Sequence, residues 1–156
     1  MLTPKNLVAR KLCRLSSFLH HASEEFENAA KQIKEKKIKM SIRSVALKTR
    51  QYTQELNSQM SMLRVKCVLR NSNSERKSDH PANKNISDKK IVELCCNSEV
   101  FFSKAYKSIL NEYFPFKPLR AMLRYQLSGI HADFRQLKLL NSVMTPQITR
   151  ARLSKI

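Results

Sequence analysis

"EEFENAAKQIKEKKIKMSIRSV", residues 24–45, decides the fold. Nothing after Asn28 breaks a helix locally, because the stretch holds no Gly or Pro and no Asn-Gly or Asp-Gly pair. Upstream, apolar residues fall at Val8, Leu12, Leu15, Leu19, Ala22, Phe26, Ala29 and Ile33, in alternating steps of four and three. That spacing draws one stripe along a helix. Downstream, a second stripe runs through Ile38, Ile42, Val45, Thr49, Tyr52, Leu56, Gln59 and Leu63. Continuing the first stripe past Ile33 would bury Lys36, Met40 and Arg43. The two stripes are out of phase, so one straight helix would turn its second half away from its own core. The phase predicts two helices, with a reversal near Lys34 to Lys37.

Two more helices follow. "RNSNSERKSDHPANKNIS", residues 70–87, reads as a polar loop. Ser87 caps the next helix, and Asp88 suits its positive end. Its expected stripe is Ile91, Leu94, Ser98, Phe101 and Ala105, with Phe102 and Ile109 beside it. Pro115 and Pro118 in "NEYFPFKP" end that helix and start the last. The last stripe runs Leu119, Leu123, Gln126, Ile130, Asp133, Leu137 and Leu140. The expected domain is therefore residues 4–142, an all-α, antiparallel four-helix bundle. Its helices are expected at about 4–34, 38–69, 88–113 and 118–142, and a basic tail at 143–156. Thr49, Gln59, Ser98, Gln126 and Asp133 are the polar positions on the stripes.

Composition agrees with this class. Among 156 residues there is one glycine, and hydrophobic residues make up 42%, enough for a packed core. No apolar run reaches the ~18 residues of a membrane span. Basic residues inside "NLVARKLCRLSSFLHHA" exclude a signal-peptide core. Cys13, Cys67, Cys95 and Cys96 show no metal-ligand spacing. They are expected as reduced thiols of a cytoplasmic protein. There is no phosphate-binding loop and no nucleophile with a matching base.

Four stretches stand in order within residues 8–141: "EEFENAAKQI", "RQYTQEL", "CNSEVFFSKAY" and "YQLSGIHADFRQLKLL". Together they resemble a family of bacterial four-helix bundles in the ferritin-like superfamily, relatives of rubrerythrin with no assigned function. The family's glycines correspond to Ala22, Glu25 and Ser98, and its usual Glu after Ala-Ala is Lys31. The resemblance implies a ferritin-like bundle.

A ferritin-like di-iron centre takes a Glu from each of two helices and Glu-x-x-His from each of the others. No Glu-x-x-His occurs here. Glu25, Glu55, Glu99 and His131 are the best partial set, one per helix, for iron or manganese. Their competing role is on solvated helix edges, where an ion pair contributes at most about 1 kcal/mol. No cofactor is expected, and a complete two-metal centre is not.

The formal net charge is +18. Between Lys31 and Arg50 stand eight basic residues and one acid. Lys34, Lys36, Lys37, Lys39 and Arg43 cluster at the first reversal, and Arg150, Arg152 and Lys155 mark the tail. These are the candidate contacts to nucleic acid, an acidic protein or an anionic surface. The leading expectation is a non-enzymatic protein of interaction or assembly, with a role in stress. Self-association into a homodimer is expected through Met60, Met62, Phe18 and Phe116 outside the stripes. The alternatives are a non-specific polyanion binder and a metal-dependent oxidoreductase.

Overall fold

The computed structural model describes residues 4–67 and 86–153, the last ten and the first two without side-chain detail. The described chain is all-helical: α1 (Pro4–Gln32), α2 (Lys36–Met62), α3 (Asp88–Asn97), α4 (Glu99–Leu110) and α5 (Lys117–Leu153). Of the expected polar loop, residues 70–85 lie outside the description.

The phase shift at residues 33–38 is resolved by a corner. α1 stops at Gln32, and Glu35 adopts an extended conformation as the N-cap of α2. Its carboxylate accepts from the Ile38 amide at 2.8 Å. Asp88, at the start of α3, accepts from the amides of Lys34 and Glu35 at 3.0 and 2.9 Å. Helix ends leave amides without internal partners, and these two carboxylates supply them.

α2 ends at Met62, seven residues before the expected stop at 69. Arg64 takes a left-handed conformation, φ 58°. The Val65 amide donates to the Met60 carbonyl at 2.8 Å and the Arg64 amide to the Ser61 carbonyl at 3.1 Å. This is a Schellman stop, usually signalled by glycine. With arginine in that place, the sequence gives no warning.

The turn sends the chain back along α1, where Cys67 meets Cys13 in a disulfide with Cα atoms 5.5 Å apart. The expectation of four reduced thiols is thereby corrected. A separation of 54 residues carries no local signature; only the pairing of α1 with α2 brings these two together.

α3 and α4 continue one another through Ser98, whose backbone stays in the right-handed helical region. The Ser98 hydroxyl donates to the Cys95 carbonyl at 2.6 Å, and its amide donates to the same oxygen at 3.1 Å. Such back-bonding bends helices. The single helix expected over 88–113 is thus two segments. α5, expected to end at 142, runs through Leu153 and takes in most of the expected tail.

Core positions follow the stripes on α1, α2 and α5 closely. Val8 to Phe26, Ile38 to Leu56 and Leu119 to Leu137 are buried at the expected stripe positions. Ala30 replaces Ala29 and Met60 replaces Gln59 toward the helix ends. A 3.6-residue helix drifts from a strict heptad by about 20° per repeat, which accounts for these one-residue slips.

On α3 and α4 the face is different. Val92, Cys95, Phe102, Tyr106 and Ile109 are buried, whereas Leu94 and Phe101 are exposed. Two apolar stripes compete there, and the aromatic cluster selects between them: the Phe102 ring meets Phe18, Phe26 and Phe134.

Paired contacts fix the neighbours. Ser16 meets Asn57, and Arg50 meets Glu27, between α1 and α2. Lys48 meets Asp133, and Gln126 meets Tyr52, between α2 and α5. Lys11 reaches Ser108 and Glu112 at the end of α4, while Lys34 touches Asp88 at the start of α3. No helix of the described chain is long and apolar enough to cross a membrane.

Candidate functional site

One buried polar network centres on Gln126, while Ser23, Thr49 and Thr53 bond carbonyls of their own helices and Asp133 pairs with Lys48. Gln126 is fully buried on α5. Its carbonyl accepts from the Tyr106 hydroxyl at 2.8 Å, and its amide donates to the Tyr52 carbonyl and to Glu55 Oε1, both at 3.3 Å. Burial, with the charges of Glu55 and Tyr52, pushes the Tyr106 hydroxyl far above its ordinary range, so it stays a neutral donor. Tyr52 is raised as well, by burial first and then by the charge of Asp133.

Gly129 makes room for this arrangement. A side-chain carbon there would collide with the Tyr52 hydroxyl. Thr49, also on the network's helix, donates to the Val45 carbonyl at 2.7 Å, and Asp133 accepts from Lys48 at 2.7 Å. Thr49, Gln126 and Asp133 are buried, and Gln59 and Ser98 are half-buried.

The four candidate ligands sit in three places. Glu99, the first residue of α4, accepts from His131 Nδ1 at 2.9 Å and from the Lys138 ammonium. Glu55 is half-buried and held by Gln126. Glu25 is exposed on α1 beside a cavity of about 350 Å³, together with Phe26, Ile91, Cys95 and Phe101. Among the described residues no three His, Cys, Asp or Glu side chains are grouped to hold a metal ion.

Of these four, Glu55, Glu99 and His131 already have protein partners. Lys138 already places a positive charge on Glu99, and Gln126 occupies the centre with a neutral amide. The Cys95 thiol at the cavity is pushed up to about 12, by burial first and then by the charges of Cys96 and Glu25. It is therefore a protonated packing group at neutral pH.

Glu99 has a pH signature. Burial alone would raise its carboxyl, but the hydrogen bonds and charges of His131 and Lys138 outweigh that and hold it below 4.5. A carboxyl lowered on folding stabilises the fold above its unfolded pKa, and the contribution is lost as pH falls through the folded value. Urea midpoints of the wild type should therefore fall more steeply below about pH 4.5 than those of Glu99→Gln. Parallel curves would show that the cluster adds nothing.

The basic corner is compact in sequence and open in space. Lys34, Lys36, Lys37 and Arg43 are exposed and Lys39 is half-buried. None of the five enters an ion pair among the described residues, since Glu35 and Asp88 are occupied by backbone amides. Lys155 lies outside the described residues, as do the side chains of Arg150 and Arg152.

The expected self-association residues are placed differently. Met60 is buried, Phe18 and Phe116 are half-buried, and only Met62 is fully open. Met60 is corrected to a core residue, because the drift of the second stripe turns it inward.

Sequence reading missed Tyr106 as the partner of Gln126, Lys48 as the partner of Asp133, and the ammonium of Lys138 on Glu99. Tyr106 stands on the stripe of Phe102 and Ile109, which was the available signal. No protein-family model, curated protein or solved structure matches the chain.

Proposed function

We propose that this chain is a non-enzymatic, antiparallel four-helix bundle of ferritin-like type that works by interaction or assembly, without a complete di-iron centre. The antiparallel arrangement is supported by the order of the contacts, in which residues climbing one helix meet residues descending its neighbour. The observation that carries the functional reading is the state of the acids near the interior. Asp133 is held by Lys48, Glu55 by Gln126, and Glu99 by His131 and Lys138. Each already has a protein donor, and a di-metal oxidoreductase needs several of them turned on one point. A stress-related setting is kept as part of this proposal. The Cys13–Cys67 bridge makes an oxidising compartment a better fit than the cytoplasm.

Metal analysis of protein purified without chelator tests this reading. The expected content of iron or manganese is well below one per chain, with no oxygen consumed on adding ferrous iron. About two metals per chain with oxygen consumption would replace it with the oxidoreductase reading.

A second reading, a non-specific polyanion binder, is favoured by the five cations of the corner. Duplex DNA should then shift in a gel at about 50 mM salt and be released at about 500 mM, because phosphate contacts release counterions. Unshifted DNA at the lower salt removes it.

A further inference from the structure

Charge is nearly everywhere on this surface, except on one face. Along the outside of α2, Met40, Ser44, Leu47, Gln51, Gln54 and Ser58 succeed one another at helical spacing, all exposed and uncharged. On the adjacent outside of α5 the same holds for Ala121, Tyr125, Ser128, Ala132, Gln136, Leu139 and Val143.

Five of these residues are large and apolar and are exposed by half or more: Met40 at 62%, Leu47 at 53%, Leu139 at 59%, Val143 at 55% and Tyr125 at 70%. The seam between the helices is neutralised by the Lys48–Asp133 ion pair. A cavity of about 460 Å³ opens at one end, lined by Met40, Ser44, Leu139 and Val143 together with Lys37 and the Lys48-paired Asp133. Tyr125 stands toward the other end. Cations flank the face on both sides, Lys36, Arg43 and Arg50 on α2 and Arg124 and Arg135 on α5.

We propose that this α2–α5 face is where a second copy of the chain docks. It deepens the interaction reading above and rests on it. The argument is electrostatic. Two chains of net charge +18 repel each other, and most acids among the described residues are tied to partners of their own, so they offset little of that repulsion. An acidic partner would choose the open cations instead. Only an uncharged face lets two copies touch while their cations remain at the rim.

Turning one copy end for end places each Tyr125 over the other's cavity, the self-complementary pairing of a two-fold interface. The face is about 27 Å long at 1.5 Å per residue and roughly 20 Å wide for two neighbouring helices. Two such faces bury on the order of 1,000 Å², at the low end for specific association. The dimer is therefore a weak, reversible one. It strengthens with salt, because screening relieves the repulsion between the rims.

The test is sedimentation of the full chain over a range of concentrations, at about 50 and about 500 mM salt. The mass should climb from 18.2 kDa toward twice that value with concentration, and further at the higher salt. Leu139→Lys, and independently Ser44→Lys, should stay monomeric at both salts with unchanged helical circular dichroism. Leu94→Lys, on an exposed leucine elsewhere, should associate like the wild type.

A wild type that keeps the monomer mass throughout overturns the proposal. So does a dimer that weakens with salt, or one that survives both substitutions in the face. A monomer that still shifts DNA at low salt sinks this inference and leaves the polyanion-binding reading standing.

Discussion

Alanine in place of Phe102 is expected to lower the unfolding free energy by about 3–5 kcal/mol, the range for large aromatic truncations in cores. The ring is fully buried where α1, α4 and α5 meet. It packs edge-on to Phe18 at 4.9 Å between centroids, near-parallel to Phe26 at 6.0 Å and tilted to Phe134 at 5.5 Å. Aromatic pairs add about 0.5–1.5 kcal/mol beyond area burial, so truncation loses contacts as well as leaving a void. The neighbouring Phe101→Ala should cost less than about 0.5 kcal/mol, since that ring is largely in solvent. Urea denaturation of both variants checks the pair. Equal losses would mean that α4 presents a different face to the core.

The second large effect concerns Cys13–Cys67. The bridge closes a loop with a sequence separation of 54 residues. In the chain-entropy account a loop of that size stabilises by about 4 kcal/mol, and measured values more often fall at about 2–4. Reductant should lower the unfolding free energy by that amount. Cys13→Ser should reproduce the loss and abolish any further response to reductant. Thiol titration of the unfolded, unreduced protein should find two free groups, Cys95 and Cys96, and four after reduction. An unchanged midpoint in reductant would remove the bridge from the account of stability.

How far the sequence could be read depended on how local each signal was. The corner near residue 34 was legible because two long stripes, each of eight positions, disagreed in phase. No turn residue was needed. The last helix was legible for the same reason, and its polar stripe positions Gln126 and Asp133 are indeed inside. The third stripe misled, because Leu94 and Phe101 compete with Cys95 and Phe102 for the same few turns. Only the rings of Phe18, Phe26 and Phe134, from distant segments, decide between them.

The stop of α2 at an arginine in left-handed conformation has no compositional mark, and the disulfide that depends on it was hidden with it. At the candidate site, residue types were readable but partners were not. Nothing near Glu99 in sequence announces Lys138, and nothing near Gln126 announces Tyr52. The uncharged face of α2 and α5 could have been found by asking where charge is missing, a question that a search for apolar stripes does not pose.

The corner between α1 and α2 contains neither glycine nor proline, and two of its amides are closed by Asp88, more than fifty residues further on. The turn between the first two helices is thus completed from a distant segment, with water serving these exposed amides until Asp88 reaches them. On a nascent or refolding chain the rods would pair along their stripes but stay frayed at this joint until α3 arrives. The Asp88 contacts close only after a long-range search has brought α3 to the joint.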